Sequence, residues 1–282
     1  MTHRPVVHAI YRVAPMRKTH VRPAWFSQIA CLRSFIIAAN AARASGVELR
    51  STVIVDGDLE EDLDRVLDWF DDQDRIFVRR NSSAFRRALD VACAGDAQIT
   101  LFAEDDYLWT DIAIVETVRA LVEDSTADYA SPYAHPDADD ASFREVRRHP
   151  EMTRRIGAAT WRSAPRTTMT FAARTSALRA NRGYWWLATW GKSPKDGYAF
   201  SAILEGRWVR LVGNAGFREP RRILNLRTLE LVGRCIARRL RLVGRPLLLQ
   251  PVDGLATHVH EPFISGSHDW EALSNSLSEA AA

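Results

Sequence analysis

Cysteine is scarce in this chain. Cys31, Cys93 and Cys235 are odd in number and scattered, with no C-x-x-C pair. That pattern excludes a disulfide framework and a cysteine zinc cluster, and it predicts a reducing compartment. Long apolar runs are also missing. The two most apolar windows, residues 25–42 and 229–249, are both interrupted by arginine, so neither reads as a membrane span. The opening residues MTHRPVVHAIYRV lack the apolar centre of a signal peptide. A soluble, cytoplasmic protein is the expectation. There is no internal repeat, no low-complexity tract and no recognisable nucleic-acid module. Lysine is rare: arginine greatly outnumbers it among the 38 basic residues, although formal net charge is only +3. Planar guanidinium groups suit bidentate recognition of phosphate or carboxylate, and a GC-rich genome produces the same bias without any function behind it.

The first hundred residues alternate in type. VVHAIYRV (6–13), VELRSTVIVDG (47–57), RIFVRR (75–80) and AQITLFAED (97–105) read as strands. Between them, 24–46, 59–72 and 82–95 have helical spacing, the last capped by Asn81 or Ser82. This alternation predicts an α/β fold with a mainly parallel central sheet and right-handed crossovers. Ligands gather beyond the carboxyl ends of such strands. That rule selects Tyr11 and Arg12, Asp56, residues 79–83, and residues 104–106. The second half is less regular. A helix is expected at 112–123, a strand at 128–134, an irregular polar segment at 137–165, and a strand running into a helix at 167–181. A loop, helix, turn and strand follow at 191–213, and an arginine-rich, partly helical stretch at 218–245.

ITLFAEDDYLWTD (99–111) is the most informative stretch. A run of strand-forming residues ends in three adjacent acids, whose charges repel one another. If the strand continued, Glu104 and Asp106 would share one side and Asp105 would point away. A pair of carboxylates in that position suits one hard cation, manganese or magnesium, held with waters and phosphate oxygens. The bland alternative is a strand end whose acids cap the next helix.

The ordered series VVHAIYRV, VIVDG and RRNSSAFRRALDVACAGDAQITLFAEDDYLW resembles the nucleotide-binding half of a GT-A fold glycosyltransferase, family 2-like, with Glu104-Asp105-Asp106 in the place of its acidic DxD motif. Two departures stand out: the first acid is Glu, and NSS lacks the glycine often found after the Asn. The resemblance covers residues 5–110 well and 165–210 loosely. It implies a Rossmann-like GT-A domain over 1–282, with a nucleotide-sugar-binding half at 1–110, an acceptor-side half at 111–270 and a flexible tail at 271–282. It also implies that Asp106 ligates Mn2+ or Mg2+ and that Glu104 or Asp105 touches ribose, sugar or metal-bound water. Asp56 would bond the base, with UDP favoured, while Ala9, Tyr11, Arg12 and Asn81 line the donor and Arg80 and Arg86 reach phosphate.

An inverting transfer needs a carboxylate base. GKSPKDGYAFSAIL offers Asp196 at a helix start, and Glu205 is the weaker candidate. The family often closes its metal site with a C-terminal histidine. THVHEPF supplies His258 and His260, with His258 preferred and His268 a lesser choice. Thr167 and Thr168 would contact donor sugar or acceptor. Trp161, Trp185, Trp186 and Trp190 concentrate rings on the acceptor side, where stacking on a ligand and filling a core are both open. The acceptor is a small molecule, glycan, lipid or nucleobase. The arginines from Arg218 to Arg245 read either as a solvated basic helix or as a contact for an anionic surface, nucleic acid or a phosphorylated acceptor. No aromatic residues interleave there, which argues against single-strand binding. Two competing readings are a sugar-phosphate nucleotidyltransferase and a catalytically silent nucleotide-binding relative. The loop YRVAPMRKTH lacks the glycine the former requires.

Overall fold

The structure is a computed structural model that describes residues 4–16, 21–136, 152–191, 193–208, 226–240 and 242–279. Its eleven described strands are β1 Val6–Val13, β2 Glu48–Asp56, β3 Asp72–Ile76, β4 Ile99–Glu104, β5 Tyr107–Trp109, β6 Ala127–Ala130, β7 Thr153–Ile156, β8 Ala159–Ser163, β9 Phe171–Arg174, β10 Leu247–Pro251 and β11 Ala256–His258. The helices are α1 Gln28–Ala44, α2 Glu61–Val66, α3 Asn81–Ala94, α4 Ala113–Glu123, α5 Thr175–Ala188, α6 Asp196–Glu205, α7 Leu226–Arg239 and α8 Trp270–Glu279.

Nine strands form one sheet in the order β3-β2-β1-β4-β9-β6-β10-β8-β7. β3, β2, β1 and β4 run parallel. β9 is antiparallel to both its neighbours, β6 and β10 are parallel, and β8 and β7 close the far edge antiparallel. The expected mixed, mainly parallel-rooted α/β sheet is therefore what the chain builds. β1, β2 and β4 are buried along nearly their whole length, because helices cover both faces. Ala9, Tyr11, Val53 and Leu101 face one apolar layer with Phe35 and Phe70, while Ile10, Ile54 and Phe102 face another with Phe85 and Trp185.

Several expectations are corrected. The segment 137–165 contains the β7–β8 hairpin, and its earlier part lies outside the described residues. The strand expected after α6 and the arginines Arg218, Arg221, Arg222 and Arg241 also lie outside them. The 271–282 tail is not frayed through Glu279. There α8 buries Trp270 and Ser274 against α1, and the Trp270 indole donates to the Ser265 carbonyl at 2.7 Å. Among the described residues no helix is long and apolar enough to cross a membrane.

Candidate active site

Strand order decides where a site can form. The chain moves from β1 outward to β2 and β3, then returns to place β4 on the other side of β1. The carboxyl ends of β1 and β4 therefore flank a crevice at a topological switch point. A solvent-open pocket lies there, lined by Arg12, Asp56, Asn81, Glu104, Asp105 and Asp106, together with Arg22, Gln28 and Ser193.

Arg12 is the penultimate residue of β1 and is almost fully buried. It donates to Glu104 at 2.8 Å and to Asn81 at 2.6 Å, and its guanidinium lies 5.0 Å from the Phe85 ring centre. One side chain thus ties β1, β4 and the start of α3 together. Asp56, at the end of β2, accepts from the backbone N–H of Arg79 at 2.7 Å and of Arg80 at 3.1 Å. It holds the turn before α3, in which Arg79 takes a positive φ of 49°.

The acids do not follow strand alternation. β4 stops at Glu104, and residues 105–106 form a turn before β5. All three carboxylates therefore line one pocket, and Asp105 does not point away. The Asp105 Oδ2 atom accepts from the Ala14 N–H at 2.9 Å and from the Gln28 amide at 2.6 Å. The Asp106 Oδ2 atom accepts from Arg22 at 2.7 Å and sits 3.1 Å from Nε2 of His258. Its other oxygen, Oδ1, is buried with no hydrogen-bond partner. β11 carries His258 to this point by pairing antiparallel with β5, with His258 opposite Tyr107. The imidazole stacks on the Tyr107 ring at 4.9 Å.

Burial and the negative charge of Asp106 push the Asp105 carboxyl up to about 7, against the hydrogen bonds from Ala14 and Gln28. Burial also raises Glu104, and Arg12 only partly opposes this. For Asp106 burial acts in the same upward sense, but His258 and Arg22 outweigh it and hold the group below the usual carboxylate range. Burial lowers the His258 imidazole, and Asp106 more than restores it, for a net rise. If all are ionised, the pocket's four carboxylates face two guanidinium groups, leaving a net charge of −2 before any charge on His258.

Asp196 is the first residue of α6, and its Oδ1 accepts from the Gly197 N–H at 2.7 Å. Burial is the main cause pushing its carboxyl up to about 6, and the charge of Glu104 adds to this. Ser193, three residues before Asp196 in the same loop, lines the pocket, whereas Asp196 itself is not among its lining residues.

Other expected site residues lie elsewhere. Ala9 and Tyr11 are fully buried in the sheet core, where Tyr11 packs 4.8 Å from Phe35, so neither can line a ligand. Arg86 is tied to the end of α5, donating to the Thr189 side chain at 3.2 Å and to its carbonyl at 3.1 Å. Thr167 is buried and donates to Ser131 at 2.8 Å, and Thr168 accepts from the Tyr107 hydroxyl at 2.7 Å. Glu205 is buried and pairs with Arg207. Trp161, Trp185 and Trp190 are core residues, and Trp186 is partly exposed. His260 lies past the end of β11, its ring 5.7 Å from His258, and His268 packs edge-on against Trp270.

Arg22 and Gln28 are the site residues that sequence reading missed. Both follow β1, in the loop and first helical turn that a parallel sheet places on the carboxyl rim. Ser27 caps α1 and fixes Gln28 as its first residue. That capping signal was the available clue.

No family model and no curated protein matches this sequence. Among solved structures, the crystal structure of S. aureus TarS is similar with a TM-score of 0.44 at 13% identity, covering 83% of this chain and 42% of that one. This chain therefore spans somewhat less than half the length of that one. S. aureus TarS 1–349 gives 0.42 at 10% identity, covering 84% and 80%, and its complex with UDP gives 0.44 at 12%, covering 82% and 72%. Likenesses this distant carry no functional argument, so function rests on the pocket's own chemistry.

Proposed function

We propose that the chain is a glycosyltransferase that moves a hexosyl or pentosyl group from a nucleoside diphosphate sugar, UDP favoured, to an acceptor hydroxyl. The supporting observation is the acidic corner itself: three consecutive carboxylates converge on the β1/β4 crevice with an excess of negative charge. A bare diphosphate would be repelled there, whereas a diphosphate carrying a divalent cation is attracted.

The donor set fits such a cation. Asp106 offers a buried, unpartnered oxygen, and His258 offers an imidazole already aimed at the same carboxylate. Among the described residues no group of three or more His, Cys, Asp or Glu side chains forms a metal cage. Mg2+, and by the same logic Mn2+, needs none, since it is commonly held by one or two carboxylates plus waters and substrate phosphates. When bound, the ion would neutralise charge on the leaving diphosphate. The protein does the rest. Arg12 braces Glu104 and Asn81, Asp56 holds the turn before α3, and Asp196 accepts the acceptor hydroxyl's proton in an inverting displacement. At neutral pH a carboxyl near 6 is mostly ionised and still basic enough to help.

A thermal-shift panel of nucleoside diphosphates, with and without Mn2+, tests this reading. One nucleotide should raise Tm by roughly 5–10 °C at a hundredfold excess over its Kd, and only with metal. Absence of any metal-dependent shift, or an undiminished shift in Asp106→Ala, would overturn it.

A further inference from the structure

We propose that α7 and the turn after it form a docking surface for an anionic lipid bilayer. This does not rest on the proposed transfer.

The argument starts from helical spacing. Leu231, Cys235 and Arg238 lie on one face of α7 and complete the protein's own packing. Cys235 is fully buried, and Leu231 sits against Gly183. Arg238 donates to Asn181 at 2.8 Å, and the Tyr184 hydroxyl donates to the Leu231 carbonyl at 2.9 Å. Leu229, Ile236 and Leu240 fall on the opposite face at the same spacing. They are 57%, 46% and 63% exposed, and the turn adds Leu242 at 73% and Val243 at 48%. A helix needs one apolar stripe to join its core; this one carries a second, facing water.

Charge selects the occupant. Residues 226–245 hold six arginines and one glutamate, and of the six Arg238 is buried on the inner face. Arg239 flanks the outer stripe; Arg234 lies nearer the inner face, where it donates to the Ala180 carbonyl at 3.2 Å and pairs with Glu230 at i,i+4. Two copies of so basic a face would repel one another, which disfavours self-association. The sequence 226–249 contains no aromatic residue, so bases have nothing on which to stack. An anionic bilayer satisfies both features, with apolar side chains entering the headgroup boundary and guanidinium groups pairing with lipid phosphates.

Co-sedimentation with vesicles tests the surface. The intact chain should bind vesicles of mixed phosphatidylcholine and phosphatidylglycerol, bind pure phosphatidylcholine far less, and weaken with added salt. Ile236→Ser with Leu240→Ser should reduce binding at least about tenfold, and Arg239→Gln about fivefold. Both variants should keep the parental Tm, since the altered side chains are exposed. No binding to the anionic vesicles overturns the proposal. Binding that survives the loss of the two apolar residues overturns it in favour of a purely electrostatic contact, nucleic acid included. Concentration-dependent dimerisation in sedimentation velocity, abolished by the same apolar changes, overturns it in favour of a second copy.

Discussion

At the scale of single residues, the acidic corner trades stability for chemistry. Asp105 carries its proton in the folded state up to about pH 7, against an ordinary carboxyl value of 3.8. The folded state therefore holds more protons than the unfolded state between those values, and stability falls as pH rises through that window. In metal-free protein, Asp105→Asn should raise Tm at pH 8 by a few degrees relative to the parent. That gain should vanish near pH 4, which a melting series across pH will show. Asp196 has the opposite functional sign. As the proposed base it acts in its ionised form, so kcat/KM should fall about tenfold per unit below pH 6. Asp196→Asn should lose at least about a hundredfold in turnover while keeping donor Kd. A parallel loss of binding would make it a positioning residue instead.

At the scale of elements, the parallel half was legible because β1, β2 and β4 are short, apolar and rich in β-branched residues. The polar β3 lies at 72–76 rather than the expected 75–80. α3 begins at Asn81 with Arg80 in the cap position and no side-chain cap, so the expected Asn81 or Ser82 cap is not made. β1, β2, β4, α3 and the positions of Asp56, Asn81 and the acids all follow from that pattern. What failed did so for physical reasons. Alternation assumes a continuing strand, and it broke at Glu104, where the turn swings Asp105 into the pocket. Tyr11 was selected by its place near the strand end and Ala9 by the family resemblance, yet both side chains face the apolar layer beneath the sheet, and it is the neighbouring Arg12 that reaches the pocket. β10 was hidden inside an apolar run that periodicity cannot assign to strand or helix. His258 was found because it lay in an alternating pattern near a predicted charge, although the strand that delivers it is only three residues long. The Asp56 clasp yields a prediction here. Asp56→Ala removes a buried carboxylate that holds two backbone N–H groups and should cost about 1–3 kcal/mol in denaturant unfolding. It should also weaken nucleotide binding, because the turn carrying Asn81 loses its anchor.

At the scale of the whole molecule, one sheet carries both halves. The antiparallel β9 joins the parallel strands β3, β2, β1 and β4 to β6, β10 and the far hairpin. Its Phe171 stacks on Trp185 at 5.2 Å, and Phe200 meets both rings, so this aromatic cluster locks α5 and α6 onto the sheet. Asp196 begins α6 and is positioned by that lock. Trp185→Ala should therefore cost about 3–5 kcal/mol and depress turnover more than donor affinity. Equal losses in both would mean the cluster supports the whole pocket rather than the base.

The pairing of β11 with β5 has a temporal consequence. His258 and Asp106 are separated by 152 residues in sequence. A nascent chain emerging from the ribosome as far as Gly254 already displays the entire acid triplet but lacks the imidazole that shares Asp106. The pairing that brings the imidazole to Asp106 can therefore form only after nearly the whole chain has been made.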